Sequence, residues 1–383
     1  MISRKRMCVA ALALFVAVPT ALASSTWYVD GVHGSDNNDC KSAQHACKTI
    51  GHAISMASSG DSIMVAAATY TENLSIGVSL KVIGSGAATT IIDGGGVSTV
   101  VKIPNTASHV TVSKLTIRNG VAQQGGGIFN NGTLTINNST ISGNRAVAPC
   151  KKCNGFGGGI FNNGTLAINN STISGNSAAG VLGGGGGGIS NGGTLSISTS
   201  TVSLNQGAAG AGIYNAGILT TNNSTISGNS GSWGGGISNG GRLRINNSTL
   251  SGNSADHNGG GIYNQRGSAV SLNSVIANSP GGNCGGNAVT SNGYNLSSDG
   301  TCNFNSTGDL NNTAPVLGPL QNNGGPTQTQ ALLSGSPAID AGNPSGCTDG
   351  NGNLLKTDQR GKPRHDKEDT SGCDMGAYER QSD

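Results

Sequence analysis

The sequence predicts an all-β fold, a right-handed parallel β-helix with three short strands in each coil. The block GGGI-x-N, or its variant GAGI-x-N, occurs six times between residues 125 and 264. The isoleucines of these blocks lie 24 to 32 residues apart, at positions 128, 160, 189, 213, 237 and 262. A period of this size is typical of solenoids, in which each repeat stacks on the one before. The repeats also lack the apolar spacing of an amphipathic helix.

Within one repeat, the order of the apolar residues predicts where the strands end. Leu134 and Ile136 alternate with threonine, which indicates a strand with one buried face. Ile141 breaks the alternation, so the chain must turn at Asn137-Asn138, where asparagine tolerates the left-handed conformation. A corner at Asn131-Gly132 and another in the glycine-rich run complete a coil of three strands.

The repeat length predicts the extent of the solenoid. We expect about nine to ten coils over residues 61–305, stacked at about 4.8 Å, with the regular repeats of about 24 residues at 119–279. The residues predicted to point inward include Leu134, Ile136, Ile141, Ile160, Leu166, Ile168, Ile173, Ile213, Ile226, Ile237, Ile245 and Ile262.

The pattern GGGI-(F/Y/S)-N followed by L-x-I-x-NST-I-S-G-N resembles the β-helix repeats of bacterial surface proteins. These include the polymorphic outer-membrane protein type and the wider pectin-lyase-like superfamily. The resemblance implies the fold and says little about activity, because enzymes, adhesins and spike proteins share it.

Residues 1–23 are predicted to be a secretory signal peptide. Arg4, Lys5 and Arg6 precede an apolar run from Val9 to Val18, and Ala21-Leu22-Ala23 supplies an A-x-A cleavage site. The apolar run is too short for a membrane anchor, so we expect no transmembrane span after the leader is removed. The protein is therefore expected to be exported, either extracellular or on the bacterial cell surface.

The charge of the mature chain argues against a polyanionic partner. Without the three basic residues of the leader, 18 Lys and Arg balance 18 Asp and Glu. No basic stripe is present to recruit nucleic acid, and binding to a neutral surface should depend little on salt. We expect a monomer.

Eight cysteines remain after the leader, and an even number in an exported chain predicts disulfides. A solenoid brings only sequence neighbours together, which gives the pairs Cys40–Cys47, Cys150–Cys153, Cys284–Cys302 and Cys347–Cys373. For Cys150–Cys153, a redox motif or half of a zinc site is the alternative.

The N-terminal cap is assigned to residues 24–60. Ile50, Ala53, Ile54 and Ala57 have helical spacing within residues 46–58, which predicts a short helix that covers the open end of the β-helix. The segments YVDG, GSDNNDC and CKTIGHAIS also resemble the opening of pectin-lyase-like bacterial proteins.

Residues 306–383 form a compositionally distinct C-terminal region. The phrases LGPLQNNGGPTQTQALLSGSPAIDAGN, TDQRGKPR and CDMGAYE resemble the region called choice-of-anchor Q of bacterial surface proteins. The resemblance implies a role at the C-terminal end of exported proteins, with sorting as one possibility. A loop-rich C-terminal cap is the alternative, and no hydrophobic anchor follows these motifs.

The distribution of acids bears on catalysis. Glycosidases need paired carboxylates, and lyases of this fold typically need carboxylate-bound Ca²⁺ and a base. No Asp or Glu lies between Gly120 and Ala255, and Asp256 is the sole acid from there to Asn278. We therefore assign no catalytic, cofactor or metal residues. The run Asp349-Gly-Asn351-Gly-Asn353 faintly resembles a Ca²⁺ loop, with a solvated turn as the alternative.

Two sets of repeated residues are the candidates for special roles. The first is an asparagine ladder, in which the side-chain amides are predicted to stack and to hydrogen-bond from one coil to the next. Its members are Asn130, Asn162, Asn191, Asn215, Asn239 and Asn264. The residue immediately before each of these asparagines is predicted to point outward. Where this residue is aromatic, it belongs to a candidate surface-binding stripe of Phe129, Phe161, Tyr214 and Tyr263. These rings would stack on sugars, or on one another.

The sequence favours a secreted or cell-surface protein with a structural or adhesive role that binds a polysaccharide or another cell-surface component. The alternatives are a carbohydrate-binding module and a polysaccharide lyase or glycoside hydrolase of the pectin-lyase-like superfamily. Because the regular coils contain almost no acidic residues, the structural, adhesive and carbohydrate-binding functions are favoured over the catalytic ones.

Overall fold

The computed structural model describes residues 24–150, 153–180, 184–364 and 372–381. The predicted signal peptide, residues 1–23, lies outside the described residues.

The chain forms a right-handed parallel β-helix, as predicted, with three main sheets that run along its length. Sheet I has the 11 strands Thr26–Val29, Ser62–Val65, Leu80–Gly84, His109–Ser113, Thr133–Asn137, Thr165–Asn169, Thr194–Ser198, Ile218–Asn222, Arg242–Asn246, Ser268–Leu272 and Thr290–Ser291. Sheet II has the 10 strands Ala68–Thr71, Thr90–Asp93, Thr116–Arg118, Thr140–Ser142, Thr172–Ser174, Thr201–Ser203, Thr225–Ser227, Thr249–Ser251, Val275–Ala277 and Leu296–Ser297. Sheet III has the nine strands Leu74–Ser75, Val101–Ile103, Ile128–Asn130, Ile160–Asn162, Ile189–Asn191, Ile213–Asn215, Ile237–Asn239, Ile262–Asn264 and Cys284–Gly286.

A fourth sheet adds to the predicted three strands per coil. Sheet IV lies between sheets II and III and has the six strands Val121–Ala122, Arg145–Ala146, Ser177–Ala178, Gln206–Ala209, Ser230–Trp233 and Ser254–Asn258. Its first strands are two residues long, too short to show the alternation by which strands are recognised in a sequence.

The core is a column of stacked aliphatic side chains. All 12 residues predicted to point inward are buried, none more than 1% exposed. The corner between sheets I and II adopts the predicted left-handed conformation, with φ of 49° at Asn138 and 45° at Asn223. Identical residues therefore lie in register, as in the pairing of Leu134 with Leu166 and of Ile136 with Ile168.

Two asparagine ladders run through the corners. In the predicted ladder, from Asn130 to Asn264, each Nδ2 donates to the Oδ1 of the next asparagine over 2.7–2.9 Å. The second ladder follows sheet II, with amide-to-amide distances of 2.8–3.0 Å, and was not predicted. Its members are Asn144, Asn176, Asn205, Asn229 and Asn253. Both sets of side chains are almost completely buried, so the ladders satisfy polar groups that no water reaches.

The N-terminal helix spans Ile50–Met56, with Thr49 as its N-cap. Ile50 and Ala53 are buried against the first coil, and Ile54 and Ala57 pack at the edge of the core. The Glu72 carboxylate accepts hydrogen bonds from the amides of Ile50 and Gly51 at 2.9 and 2.8 Å. One boundary differs from the expectation, because Thr26–Val29 already pairs with Ser62–Val65 as the first strand of sheet I.

The C-terminal region is more than an end cap. It contains an antiparallel hairpin of Leu317–Gln321 and Thr329–Leu332, and it folds back along the outside of sheet II. Leu332, Ala338 and Met375 join residues of the last coils in a second apolar cluster. The region therefore closes the end of the helix and also covers one flank of the coils before it.

The four predicted disulfides are confirmed, as Cys40–Cys47, Cys150–Cys153, Cys284–Cys302 and Cys347–Cys373. Within the described ranges, the structure has no helix with the length and apolar character that crossing a membrane requires.

Replacing a central member of the second ladder should destabilise the protein. Asn205→Ala leaves the amide of Asn176 and the carbonyl of Ile173 without their partners, at a cost of about 1–3 kcal/mol per buried group. Urea denaturation followed by circular dichroism measures the change. The matched control is Asn163→Ala, at an exposed position whose amide makes a single 3.5 Å contact with Asn131. Equal losses in the two variants would contradict a special role for the ladder.

The N-terminal cap should weaken in acid because of Asp61. Burial raises the pKa of this carboxyl, but hydrogen bonds from the Trp27 indole and the amides of Ser58 and Ser25 outweigh it, so the pKa lies below its ordinary value. A depressed pKa contributes stability that is fully present above the unfolded value of about 3.9 and is lost as the pH falls through the folded value.

We expect Asp61→Asn to lower the stability near neutral pH and to flatten its decline below about pH 4. Hydrogen exchange of residues 24–60 as a function of pH checks this. An Asp61→Asn protein that keeps the wild-type acid dependence would assign the effect to other carboxyls.

Candidate functional site

The candidate binding stripe lies on sheet III, in register from coil to coil. Phe129 pairs with Phe161, which pairs with Ser190, and the row continues through Tyr214 and Ser238 to Tyr263. The four aromatic side chains are half-buried. The row is therefore an ordered surface feature, but its rings are less open to solvent than the alternation alone suggests.

The first two rings form a continuous platform. Phe129 and Phe161 stack with their centroids 5.5 Å apart and an interplanar angle of 17°. This separation is close to the spacing of adjacent strands, so the sheet itself holds the rings parallel. The two rings together form an apolar stack that runs along the axis of the helix.

Tyr214 lies against a glycine of the neighbouring strand row. A Cβ on Gly185 would approach the Tyr214 ring to 2.9 Å, which is closer than ordinary contact. A side chain at Gly185 would therefore collide with the Tyr214 ring. By contrast, Ser190 and Ser238 are buried. The aromatic side chains of the row are therefore separated by buried serines and do not form a continuous exposed strip.

An aromatic cluster at the far end includes residues that the sequence analysis missed. The Trp233 ring lies 4.6 Å from that of His257 and 5.0 Å from that of Tyr263, and Trp233 is 38% exposed. Trp233 immediately precedes the block at 234–239, and in chain order the equivalent position of an earlier repeat is Phe156. An aromatic residue before GGG was therefore a usable signal.

Six of the 13 aromatic residues of the chain lie on one face. The face where sheets III and IV meet, called the aromatic face below, carries Phe129, Phe156, Phe161, Tyr214, Trp233 and Tyr263. The chain is only 3% aromatic, so this grouping on one face is uneven. The only acid of the regular coils, Asp256, lies beside it and accepts a hydrogen bond from Ser232 at 3.3 Å.

Asp93 is one of three acids in the early coils, with Asp61 and Glu72. Its carboxylate accepts hydrogen bonds from Gly95 N at 3.0 Å, from Asn119 Nδ2 at 2.9 Å and from Arg118 Nε at 2.8 Å. Burial raises its pKa, but these donors outweigh burial and hold the pKa below its ordinary value. Such a carboxylate stays ionised and is poorly suited to donate a proton.

The Asp349 loop is an intramolecular turn. Asp349 Oδ1 accepts from the amides of Asn351 and Asn353 at 3.0 and 2.9 Å, and Oδ2 accepts from Asn353 Nδ2 at 2.9 Å. The pKa of Asp349 is lowered, first by the Asn353 side chain. Elsewhere in the described chain, one trio of potential metal ligands comes together, Cys40, Cys47 and His52, and its two cysteines are joined in a disulfide.

The motifs of the C-terminal region bind the β-helix itself. Gln359 of TDQRG is 1% exposed and reaches into sheet II, where its Oε1 accepts from Thr225 Oγ1 at 2.6 Å and its Nε2 donates to Thr201 Oγ1 at 3.0 Å. Arg364 forms a buried pair with Glu379 of CDMGAYE at 2.9 Å and donates to Asn223 Oδ1 at 2.7 Å. Gln359 and Arg364 therefore attach the C-terminal region to side chains at repeated positions of the β-helix.

The comparisons with known proteins come from structure alone. No protein-family model matches the chain, and no curated protein matches it. A crystal structure of the pectate lyase Pel9A aligns with 94% of this chain and 98% of its own, with a TM-score of 0.58 and 14% sequence identity. The chain therefore shares the parallel β-helix fold of this pectate lyase. Pectin methylesterase PemA from Erwinia chrysanthemi aligns with 76% of this chain and 82% of its own, with a TM-score of 0.31 and 14% identity. At such identities the likeness to the pectate lyase shows the fold alone.

Removing the Gln359 side chain should release the C-terminal region from sheet II. We expect Gln359→Ala to leave the buried hydroxyls of Thr201 and Thr225 without these partners and to accelerate hydrogen exchange throughout residues 315–364. The β-helix strands should keep their protection. Limited proteolysis gives a second readout.

The matched control is Gln321→Ala, because Gln321 is exposed on the outer hairpin. If both variants exchange at the wild-type rate, the Gln359 contacts do not hold the region in place.

Proposed function

We propose that the protein is an exported β-helix that binds a glycan or a glycan-bearing surface through the aromatic face, in a structural or adhesive role. The observation that carries the proposal is the in-register platform of Phe129 and Phe161, followed along the axis by Tyr214 and the Trp233 cluster. Four disulfides fit an extracellular protein.

The chemistry of the aromatic face suits carbohydrate. Sugar rings present C–H faces that stack on aromatic rings, and their hydroxyls need neutral hydrogen-bonding partners. The face combines the aromatic rings with serine, glutamine and asparagine side chains. A rigid backbone holds these rings, so little conformational entropy is lost when a ligand binds.

Catalysis is the second candidate, because a pectate lyase has the same fold. Acid–base cleavage of a glycan needs at least two suitably placed carboxylates or a carboxylate-bound metal. In the regular coils Asp256 is the single acid, and Asp93 is engaged by three donors. Binding without turnover is therefore the better-supported function.

The C-terminal region is proposed to stabilise the helix rather than to present a sorting signal in the folded protein. Asp358, Gln359, Arg364 and Glu379 are each at most 2% exposed, so a receptor has little access to them.

Single aromatic substitutions on the face should weaken glycan binding. Phe161→Ala and Trp233→Ala should each raise the dissociation constant by about two- to tenfold, since one ring contact is worth about 0.5–1.5 kcal/mol. Binding and cleavage are measured together, by glycan array and by product release from pectin, polygalacturonate and neutral polysaccharides.

The matched control is Tyr28→Ala, which removes a half-buried ring from sheet I, on a different face. Equal effects of all three variants would place the binding surface elsewhere. Product release that disappears in Asp93→Asn or Asp256→Asn would replace the binding proposal by the catalytic one.

A further inference from the structure

Three arginine side chains lie close together on the outer face of sheet I, and they are called the arginine patch below. Arg242 and Arg244 are two residues apart in the strand Arg242–Asn246, and both are exposed. Arg266 precedes the strand Ser268–Leu272, whose first residue pairs with Arg242, so Arg266 lies one coil further and two residues back. Half of the six Lys and Arg residues between positions 119 and 279 therefore belong to one patch.

Within the described chain, no ion pair neutralises the arginine patch. Arg244 Nη1 donates to the Gly350 carbonyl at 3.1 Å, and Asp349 lines the same cavity of about 210 Å³ without reaching ion-pair distance. The Asp349 oxygens accept hydrogen bonds from Asn351 and Asn353 of their own turn instead. Three cations gathered without a paired carboxylate repel one another, so the patch is better suited to binding an anionic partner than to stabilising the fold.

Aliphatic side chains lie beside the guanidinium groups. Ile218 pairs with Arg242 on the preceding coil and is 44% exposed. Val270 pairs with Arg244 on the following coil and is half-buried. Cations next to exposed aliphatic groups match the surface of a lipid bilayer, where anionic phosphates lie above the acyl chains. Arginine also presents a planar fork of donors that fits phosphate oxygens.

The arginine patch and the aromatic face lie on different sides of the helix. In each coil the strands follow in the order of sheets III, I, II and IV, so sheet I does not adjoin sheet IV. The C-terminal region covers sheet II through contacts such as that of Gln359 with Thr225. The arginine patch and the aromatic face are therefore open at the same time.

We infer that the arginine patch docks the protein on a membrane surface that carries anionic phosphate headgroups. The guanidinium groups pair with the phosphate oxygens, and Ile218 contacts the layer below them. One cationic side chain near an anionic bilayer raises binding about fivefold, so three give about 100-fold and a reversible attachment. This contact goes beyond the proposed function, because the aromatic face stays free to hold a glycan while sheet I rests on lipid.

Co-sedimentation with lipid vesicles tests the inference. Wild-type protein should bind vesicles of phosphatidylcholine and phosphatidylglycerol more tightly than vesicles of phosphatidylcholine alone, and the difference should shrink as salt increases. The double variant Arg242→Gln/Arg266→Gln should weaken binding to the anionic vesicles about tenfold to thirtyfold, since it removes two of the three cations. Arg244 is kept in this variant because it also holds the Gly350 carbonyl. Glycan binding by the same variant should be unchanged.

The matched control is Lys81→Gln/Lys102→Gln, which removes the same charge from two exposed lysines of earlier coils. Lys102 lies on sheet III, with its Nζ 5.7 Å from the centroid of the Phe129 ring. If the two double variants lose vesicle binding equally, or if the wild-type protein does not distinguish anionic from neutral vesicles, the arginine patch is overturned as a docking surface.

A second variant separates a membrane from a soluble phosphate polymer. Ile218→Ser should weaken binding to anionic vesicles about two- to fivefold and leave binding of inorganic polyphosphate unchanged, because only a bilayer offers an apolar layer to this side chain. Wild-type protein that binds polyphosphate through the arginine patch but does not sediment with vesicles would assign the patch to a soluble polyanion and contradict the membrane contact.

Discussion

The asparagine ladders are the interaction on which the rest of the structure depends. A parallel β-helix turns several times in each coil, and each corner removes backbone groups from the sheets and buries them. In this protein, the Asn130 row and the Asn144 row bond to the next coil and to nearby carbonyls at the same time. Because an unpaired buried polar group costs about 1–3 kcal/mol, a corner without such a side chain would open the coil to water.

The ladders also fix the register, and the register creates the functional surfaces. A slip of one residue would exchange the inward and outward faces of every strand. With the register fixed, outward residues of equivalent repeats line up, which produces the phenylalanine platform on sheet III and a threonine row on sheet II. The threonine row is the surface on which the C-terminal region docks, through Thr201, Thr225 and Thr249. The fixed register therefore produces two surfaces, one on sheet III that is exposed to ligands and one on sheet II that the C-terminal region covers.

The parts of this fold that a sequence reveals are those that repeat. The inward residues, the Asn138-type corners and the disulfides followed from spacing, because neighbours in a solenoid are also neighbours in sequence. The docking of Gln359 on Thr201 joins residues 158 positions apart, and no local pattern encodes such a contact. Trp233, His257 and Lys102 escaped notice for a related reason. His257 and Lys102 each occur once at their place in the repeat, so no pattern marks them, whereas Trp233 shares its position before GGG with Phe156.

Stacking also explains why the coils contain so few charges. A charged residue at a repeated position would meet its equivalent at about 4.8 Å, where two like charges repel by about 0.9 kcal/mol even in water. Neutral Asn, Thr and Ser avoid this repulsion and can bond to their own copies, so the lack of acids is partly a structural requirement. It follows that a charged residue on the coils is expected where the register partners on the adjacent coils do not carry the same charge. Lys102 has Phe129 as its neighbour on one side and Ser75 on the other. Asp93 shows the other way to place a charge, because it meets Arg118 of the next coil and forms a salt bridge with it at 2.8 Å.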